Sequence, residues 1–192
     1  METTIELDCR LLSIRLPADP GEFLNHLGAD APPHLADPYW ARLWPTSLTM
    51  AALVAKQGWR TNDWALELGC GIGVVGLAAL LSGLQVAFSD YVSVAVDVAC
   101  ENARRNGWSQ VRGMVFDWQT PPLERFSVIL ASDVLYDPNV HPIVLHLLDR
   151  RPRTILLRSF RGIGQTSRLR DFSTRSNGSK TNDHNGGRIL FA

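Results

Sequence analysis

Between Trp64 and Leu157, short apolar runs alternate with longer stretches whose apolar residues recur every three or four positions. The runs Trp64 to Leu68, Gln85 to Ser89, Val111 to Phe116, Phe126 to Ala131 and Thr154 to Leu157 predict strands. Phe126 to Ala131 is apolar almost without alternation, which predicts burial on both faces. Val74 to Ser82 predicts a helix ended by Gly83, and its apolarity on nearly every side predicts deep burial. Ser93 is expected to cap a helix that runs to Asn106 and stops at Gly107. Asp137-Pro138 is a cap and first turn for a helix carrying Val140, Ile143, Val144, Leu147 and Leu148. Upstream, Pro45 suits the first turn of a helix whose Leu48, Ala51, Ala52 and Ala55 keep helical spacing up to Gly58. Strands alternating with helices predict an α/β fold: a Rossmann-like, doubly wound, mostly parallel sheet with helices on both faces.

The flanks read differently. Residues 1–38 carry Pro17, Pro20, Pro32, Pro33 and Pro38 and are expected to form an N-terminal extension with one short strand near Leu11 to Leu16. Residues 161–187 are rich in Ser, Thr, Asn, Gly and Arg, with Ile163, Leu169 and Phe172 as their large apolar side chains. Such a segment buries little, and disorder is the expectation for part of it. Arg188 to Phe191 reads as a short closing strand. The chain of 192 residues is therefore expected to form a single domain, with 1–38 as the extension, 39–160 as the core and 161–187 as a polar insertion near a shortened sheet edge.

Charge narrows the function. Lys plus Arg and Asp plus Glu number 19 each, so there is no overall basic excess of the kind that holds nucleic acid by its phosphates. No apolar run reaches the roughly 18 residues of a membrane span. The first twelve residues carry Glu2, Glu6 and Asp8 and do not read as a signal peptide. Cys9, Cys70 and Cys100 are odd in number and not spaced as metal ligands, so a reducing, cytoplasmic compartment is expected. His141 and His146 lie five apart, which does not align two ligands on one helix face, and no metal site is expected.

In a doubly wound sheet, ligands bind beyond the carboxyl ends of the strands, so the residues just past each strand matter most. The first is followed by Glu67-Leu-Gly69-Cys-Gly71-Ile-Gly73-Val-Val-Gly76, where glycines let the backbone pass close to a ligand. The second is followed by Asp90, 23 residues beyond Glu67, placed to accept hydrogen bonds from both hydroxyls of a ribose. Asp117-Trp118 follows the third, an acid beside a flat ring, suited to the edge and face of an adenine. Ser132-Asp133-Val-Leu-Tyr136 follows the fourth. Each has a plainer reading: a linking turn, a helix cap, a packed aromatic, a loop acid. Four strand ends that suit one adenosine-like ligand favour a nucleoside site. Gly71-Ile-Gly73-Val-Val-Gly76 also matches the dinucleotide fingerprint, with Asp90 19 residues past Gly71. Against NAD, the turn opens two residues earlier, at Gly69, and no second mononucleotide half follows.

Taken together, Tyr39-Trp-Ala-Arg-Leu-Trp44-Pro, Leu66-Glu-Leu-Gly-Cys-Gly-Ile-Gly73, Ser89-Asp90, Asp117-Trp118 and Ile129-Leu-Ala-Ser-Asp-Val-Leu-Tyr136 resemble the class I S-adenosylmethionine-dependent methyltransferases. More narrowly, they resemble the seven-β-strand protein-lysine methyltransferases of family 16, which include the methyltransferase-like 21 group and the enzyme modifying the electron-transfer flavoprotein β subunit. The resemblance spans about Pro38 to Leu157. It implies S-adenosyl-L-methionine as cofactor and a protein lysine side chain as acceptor. It implies that Glu67, Gly69, Gly71 and Gly73 line the methionine and ribose of the cofactor, that Asp90 holds the ribose hydroxyls, and that Asp117 and Trp118 recognise adenine. Trp44 is implied to pack against the cofactor, Ser132 to contact it by backbone, and Asp133 and Tyr136 to face the substrate amine as the catalytic pair. The family finishes its sheet with a further helix and an antiparallel strand pair, a pattern that residues 161–187 lack. Alternatives are a small-molecule methyltransferase of the same fold, a cofactor-binding protein without catalysis, and an NAD-dependent oxidoreductase. A nucleic-acid amino-methylating enzyme fits less well, because Asp133-Val-Leu-Tyr136 lacks the prolines of its characteristic turn.

Overall fold

The apolar runs pair as parallel strands. The computed structural model describes residues 1–18, 39–135, 138–148, 154–158, 181–182 and 188–191. Its strands are β1 (Glu2–Leu7), β2 (Arg10–Arg15), β3 (Trp64–Leu68), β4 (Gln85–Asp90), β5 (Arg112–Val115), β6 (Val128–Ser132), β7 (Thr154–Arg158), β8 (Thr181–Asn182) and β9 (Arg188–Phe191). Its helices are α1 (Pro45–Ala55), α2 (Val74–Leu81), α3 (Ser93–Arg105) and α4 (His141–Leu148), with single 3-10 turns at Tyr39–Ala41 and Pro138–Val140. The main sheet has the order β5-β4-β3-β6-β7-β9-β8. Every neighbouring pair in it is parallel except β8 with β9. β3, β4 and β5 run outward on one side and β6 and β7 on the other, so the order reverses between β3 and β6. The crevice at such a reversal, at the carboxyl ends, is where doubly wound sheets take ligands.

β6 shows why a continuous apolar run signals a central strand. Val128 and Leu130 face one core, which also holds Met50 and Val54 of α1, Leu77 of α2 and Ala99 of α3. Ile129 and Ala131 face a second core with Phe126 and, from α4, Val144 and Leu147. Helix α2 is buried from Val74 to Leu80, as its all-round apolarity predicted. Among the described residues, no helix is long and apolar enough to cross a membrane.

Two expectations are corrected. Residues 1–16 hold two strands where the sequence predicts one, near Leu11 to Leu16. β1 and β2 form an antiparallel hairpin through left-handed Asp8 (φ 49°) and Cys9 (φ 60°), and Ile5, Leu7, Leu12 and Ile14 join the larger core. The alternation in β1 covers too few residues to stand out in the sequence; its pairing with β2 and packing on α1 and α3 of the hairpin as a whole hold it as a strand. Ser93 is not the cap of α3 but its first helical residue; Val92 holds the cap position, and the Asp90 carboxylate accepts from the Val92 backbone N–H at 3.0 Å. Arg188–Phe191 does supply a strand, parallel to β7. Asp137 and residues 161–180, within the polar segment, lie outside the described residues, as do 19–38 of the N-terminal stretch.

Candidate functional site

Strands β5, β4, β3 and β6 are consecutive in the sheet, so their carboxyl ends form one continuous edge. Past them lie Asp117-Trp118, Asp90, the turn Gly69–Gly73, and Ser132-Asp133. The sheet order, which the sequence does not state, makes these four segments neighbours.

The glycine turn is bent tightly. Gly69, Gly71 and Gly73 have φ of 61°, 50° and 84°, and the Gly73 N–H donates to the Cys70 carbonyl at 2.7 Å. Gly71 needs glycine for two reasons. Its backbone is left-handed, and a methyl group on it would lie 2.9 Å from the carbonyl oxygen of Trp40. Asp90 ties this turn to β4: its Oδ2 accepts from the Gly71 N–H at 3.0 Å while its Oδ1 takes the Val92 N–H. Burial pushes the Asp90 carboxyl above its ordinary value, and the backbone N–H groups of Val92 and Gly71 oppose that rise. Asp90 is thus at once a brace for the turn and a carboxylate at the strand end.

Glu67 is placed differently from the expectation that it lines the ligand. Its side chain is 3% exposed and lies beneath the first turn of α2, where Oε2 accepts from the Gly76 N–H at 2.9 Å. Helix α2 begins at Gly73, which has no side chain to satisfy the free N–H groups of the first turn. Glu67 supplies that cap from the strand below. The space is filled: a methyl group on Gly76 would meet the Phe88 ring at 2.3 Å and Glu67 Oε2 at 2.5 Å. Burial pushes the Glu67 carboxyl up to about 8, against the lowering effect of the Gly76 and Val75 backbone N–H groups. In the unfolded chain it titrates near 4.5, so the folded state holds the proton over the window from about 4.5 to about 8. Stability from this group is full below that window and is lost as pH rises through it. Glu67→Gln keeps an oxygen for Gly76 and cannot ionise. It is expected to match the wild type in thermal melts near pH 5 and to exceed it near pH 8, the end of the window. Parallel stability–pH curves for the two proteins would contradict the assignment.

The opposite wall is built from β6 and the loop after β5. Asp133 holds a left-handed backbone, φ 57°, which costs a non-glycine residue roughly 1 kcal/mol. The bend brings Val134 under the turn: a methyl group on Gly69 would sit 3.2 Å from Val134 Cγ1 and 3.4 Å from Trp118 Cζ2. So Gly69, Trp118 and the Asp133 segment are drawn together. Trp118 is half-buried and packs against the second core, which is also the plainer reading of an aromatic there. Asp117 Oδ1 accepts from the Gln119 N–H at 2.8 Å, bracing its own turn. The Ser132 hydroxyl is buried and has no hydrogen-bond partner among the described residues. A buried hydroxyl in this state at a strand end is a ready contact for a ligand. Trp44 is 37% exposed; its Nε1 donates to the Tyr39 carbonyl at 3.0 Å, and the two rings lie 5.9 Å apart. That segment reaches the turn through Trp40, not through a described contact of Trp44. Tyr136 lies outside the described residues.

Two residues of the site were missed in the sequence. Trp40 closes over Gly71 by its carbonyl, a backbone contact that no side-chain pattern announces. Asn102 is fully buried and donates to the Ile72 carbonyl at 3.0 Å. A signal for it existed: it shares a helix face with Ala95 and Ala99, where a polar residue at an apolar position calls for a partner.

The family model described as lysine methyltransferase matches residues 40–156. The chain is 38% identical over 79 residues to a histidine protein methyltransferase 1 homolog of Dictyostelium discoideum, covering 38% of this chain and 26% of that protein. It is 29% identical over 103 residues to the electron transfer flavoprotein beta subunit lysine methyltransferase of Danio rerio, covering 53% and 40%. It is 30% identical over 130 residues to a protein N-lysine methyltransferase of Xenopus tropicalis, covering 62% and 60%. The chain thus spans between a quarter and three-fifths of the length of these relatives.

Proposed function

The chain belongs to the lysine methyltransferase family, and we propose that it transfers a methyl group from S-adenosyl-L-methionine to the side-chain nitrogen of a protein lysine. The observation that carries the reading is the single edge on which the Gly69–Gly73 turn, Asp90, Trp118 and Ser132-Asp133 meet. These residues fit an adenosyl cofactor. The turn exposes backbone where side chains are absent. Asp90 keeps lone pairs for ribose hydroxyls beyond the backbone N–H bonds it accepts. Trp118 offers a flat face, Asp117 an edge acceptor, and the Ser132 hydroxyl a contact still unmade among the described residues. Trp44 borders the cofactor from the segment that presses on Gly71.

When bound, the cofactor supplies a methyl group on a positively charged sulfur. That methyl would pass from the sulfur to the amine nitrogen, with S-adenosylhomocysteine as the other product. The chain has to deliver a neutral, aligned amine, and positioning supplies much of the rate. Asp133, held on its bent backbone beside the turn, accepts the proton that the lysine ammonium must lose and orients the amine. Tyr136 is proposed to pack against the same amine. The proposed partner is a protein, which the balanced charge favours over nucleic acid, and the proposed compartment is the cytoplasm.

The test has two stages. Calorimetric titration is expected to show binding of S-adenosylhomocysteine and none of NAD; the reverse would replace this reading with a dinucleotide enzyme. Transfer of labelled methyl to protein in cell lysate, followed by amino-acid analysis, is expected to yield methyl-lysine. Methyl-histidine would reassign the acceptor, in line with the Dictyostelium relative, and labelled small molecules alone would remove the protein substrate.

A further inference from the structure

The N-terminal hairpin is held to the body of the protein by two side-chain amides. Asn102 Oδ1 accepts from the Arg15 N–H at 2.7 Å, and its Nδ2 donates to the Arg15 carbonyl at 3.1 Å. One turn along α3, Asn106 Oδ1 accepts from the Ser13 N–H at 2.9 Å and its Nδ2 donates to the Ser13 carbonyl at 2.8 Å. Residues four apart on a helix thus meet residues two apart on a strand. The amides act as a short substitute strand along the free edge of β2. Ion pairs of Arg15 with Glu101 and of Arg105 with Glu2 flank this seam, but they are exposed and add little.

Asn102 does more than Asn106. Its second N–H donates to the Ile72 carbonyl at 3.0 Å, between the left-handed residues Gly71 and Gly73. The side chain is 0% exposed and its hydrogen bond to Ile72 is buried, so loss of the amide leaves the Ile72 carbonyl without a ready replacement. The turn is then clamped from two sides. Asp90 on β4 takes the Gly71 N–H, and Asn102 on α3 gives a hydrogen bond to the next carbonyl. Ala99 presses on the same turn, since a methyl group on Gly73 would lie 2.8 Å from its Cβ.

We propose that Asn102 is a positioning residue for the cofactor turn, and that through it the N-terminal hairpin is a working part of the site. It touches no ligand. It sets the orientation of the Ile72 peptide and so the backbone that Gly71 and Gly73 present. The choice of ligand rests on the function proposed above, whereas the clamp itself does not.

The experiment compares Asn102→Ala, Asn102→Asp and Asn106→Ala in the full chain. Asp has the shape of Asn and still accepts from the Arg15 N–H, but once ionised it donates to neither the Ile72 nor the Arg15 carbonyl; read above the pH at which a buried carboxyl ionises, it keeps the test open if the Ala variant fails to fold. Hydrogen exchange without ligand reads the Gly71 and Gly73 amides, both hydrogen-bonded in the wild type. Asn106→Ala is expected to speed exchange in residues 1–16 and leave the turn protected. Both Asn102 variants are expected to speed exchange in the hairpin and in the turn. S-adenosylhomocysteine should bind about tenfold more weakly to the Asn102 variants, the loss of one hydrogen bond's worth of order, and less than about twofold more weakly to Asn106→Ala. A purely structural amide would lower stability in all variants without this split. Unchanged turn protection in the Asn102 variants, or equal loss in Asn106→Ala, overturns the proposal. Failure of the wild type to bind S-adenosylhomocysteine would overturn the ligand reading instead, and the exchange comparison would still decide the clamp.

Discussion

Asp90→Ala is expected to abolish binding of S-adenosylhomocysteine while the chain stays folded. In the proposed complex Asp90 accepts hydrogen bonds from ribose hydroxyls, and hydrogen bonds to a charged group contribute about 1.5–3 kcal/mol each. Two of them amount to a loss of at least about a hundredfold in affinity, since every 1.4 kcal/mol or so is tenfold. The substitution also frees the Gly71 N–H, so the turn that faces the ligand loses a brace. Folding should survive, because Asp90 is the last residue of β4, its backbone pairing with β5 does not depend on the side chain, and it belongs to neither core. Gly71→Arg reaches the same end by another route. Its Cβ has 2.9 Å to the Trp40 carbonyl oxygen and a backbone φ of 50°, so the turn and the Tyr39–Ala41 segment must separate. The measurement is calorimetric titration of each variant, with circular dichroism to verify the fold. Wild-type affinity in either variant would remove the site assignment.

Asp133 carries the second large effect, on turnover and not on affinity. Proton acceptance by a positioned group contributes about 100- to 10,000-fold to rate. Its backbone complicates the choice of variant. At φ 57°, Asp is tolerated better than Ala, and Asn is tolerated as well as Asp. Asp133→Asn therefore removes the charge and keeps the bend that carries Val134 beneath Gly69. Single-turnover methyl transfer is expected to slow by about two to four orders of magnitude in Asp133→Asn, with cofactor affinity held within about twofold. Asp133→Ala should show the same loss, accompanied by weaker cofactor binding if the bend relaxes. Turnover in Asp133→Asn within twofold of wild type would mean that the carboxylate neither takes the proton nor orients the amine. A wild type that binds cofactor and transfers nothing would support a binding protein without catalysis.

Most of the main sheet was legible in the residues. Strands β3 to β7 and all four helices appear within a few positions of where period and punctuation put them. The reason is local: apolar spacing, Pro45 at a helix start, and glycines past helix ends act within a few residues of themselves. Errors fell mostly where a distant partner decides. β1 is a strand because its hairpin packs on α1 and α3, far away in the chain, whereas the shift of the α3 cap to Val92 is local and goes with the Asp90 carboxylate two residues before it. Glu67 sits in a motif whose pattern suggests a ligand contact, yet its carboxyl turns under α2, where the glycine start of that helix leaves a donor to fill.

The sequence by itself determined which residues stand after which strand, because strand periodicity and the glycine turn are written in consecutive positions. It determined that β6 is central, because a run apolar on both faces can only be buried on both faces. The tertiary structure decided which strand ends are neighbours, since order in a sheet is set by packing of helices many residues away. It also decided what braces the site. The Trp40 carbonyl over Gly71, the Asp90 carboxylate on its N–H and the Asn102 amide on Ile72 join residues 19 to 31 positions apart. The sequence marks Asp90 and Asn102 as polar groups that need partners, but not which partners, because a backbone group looks the same at every residue until the fold selects its partner.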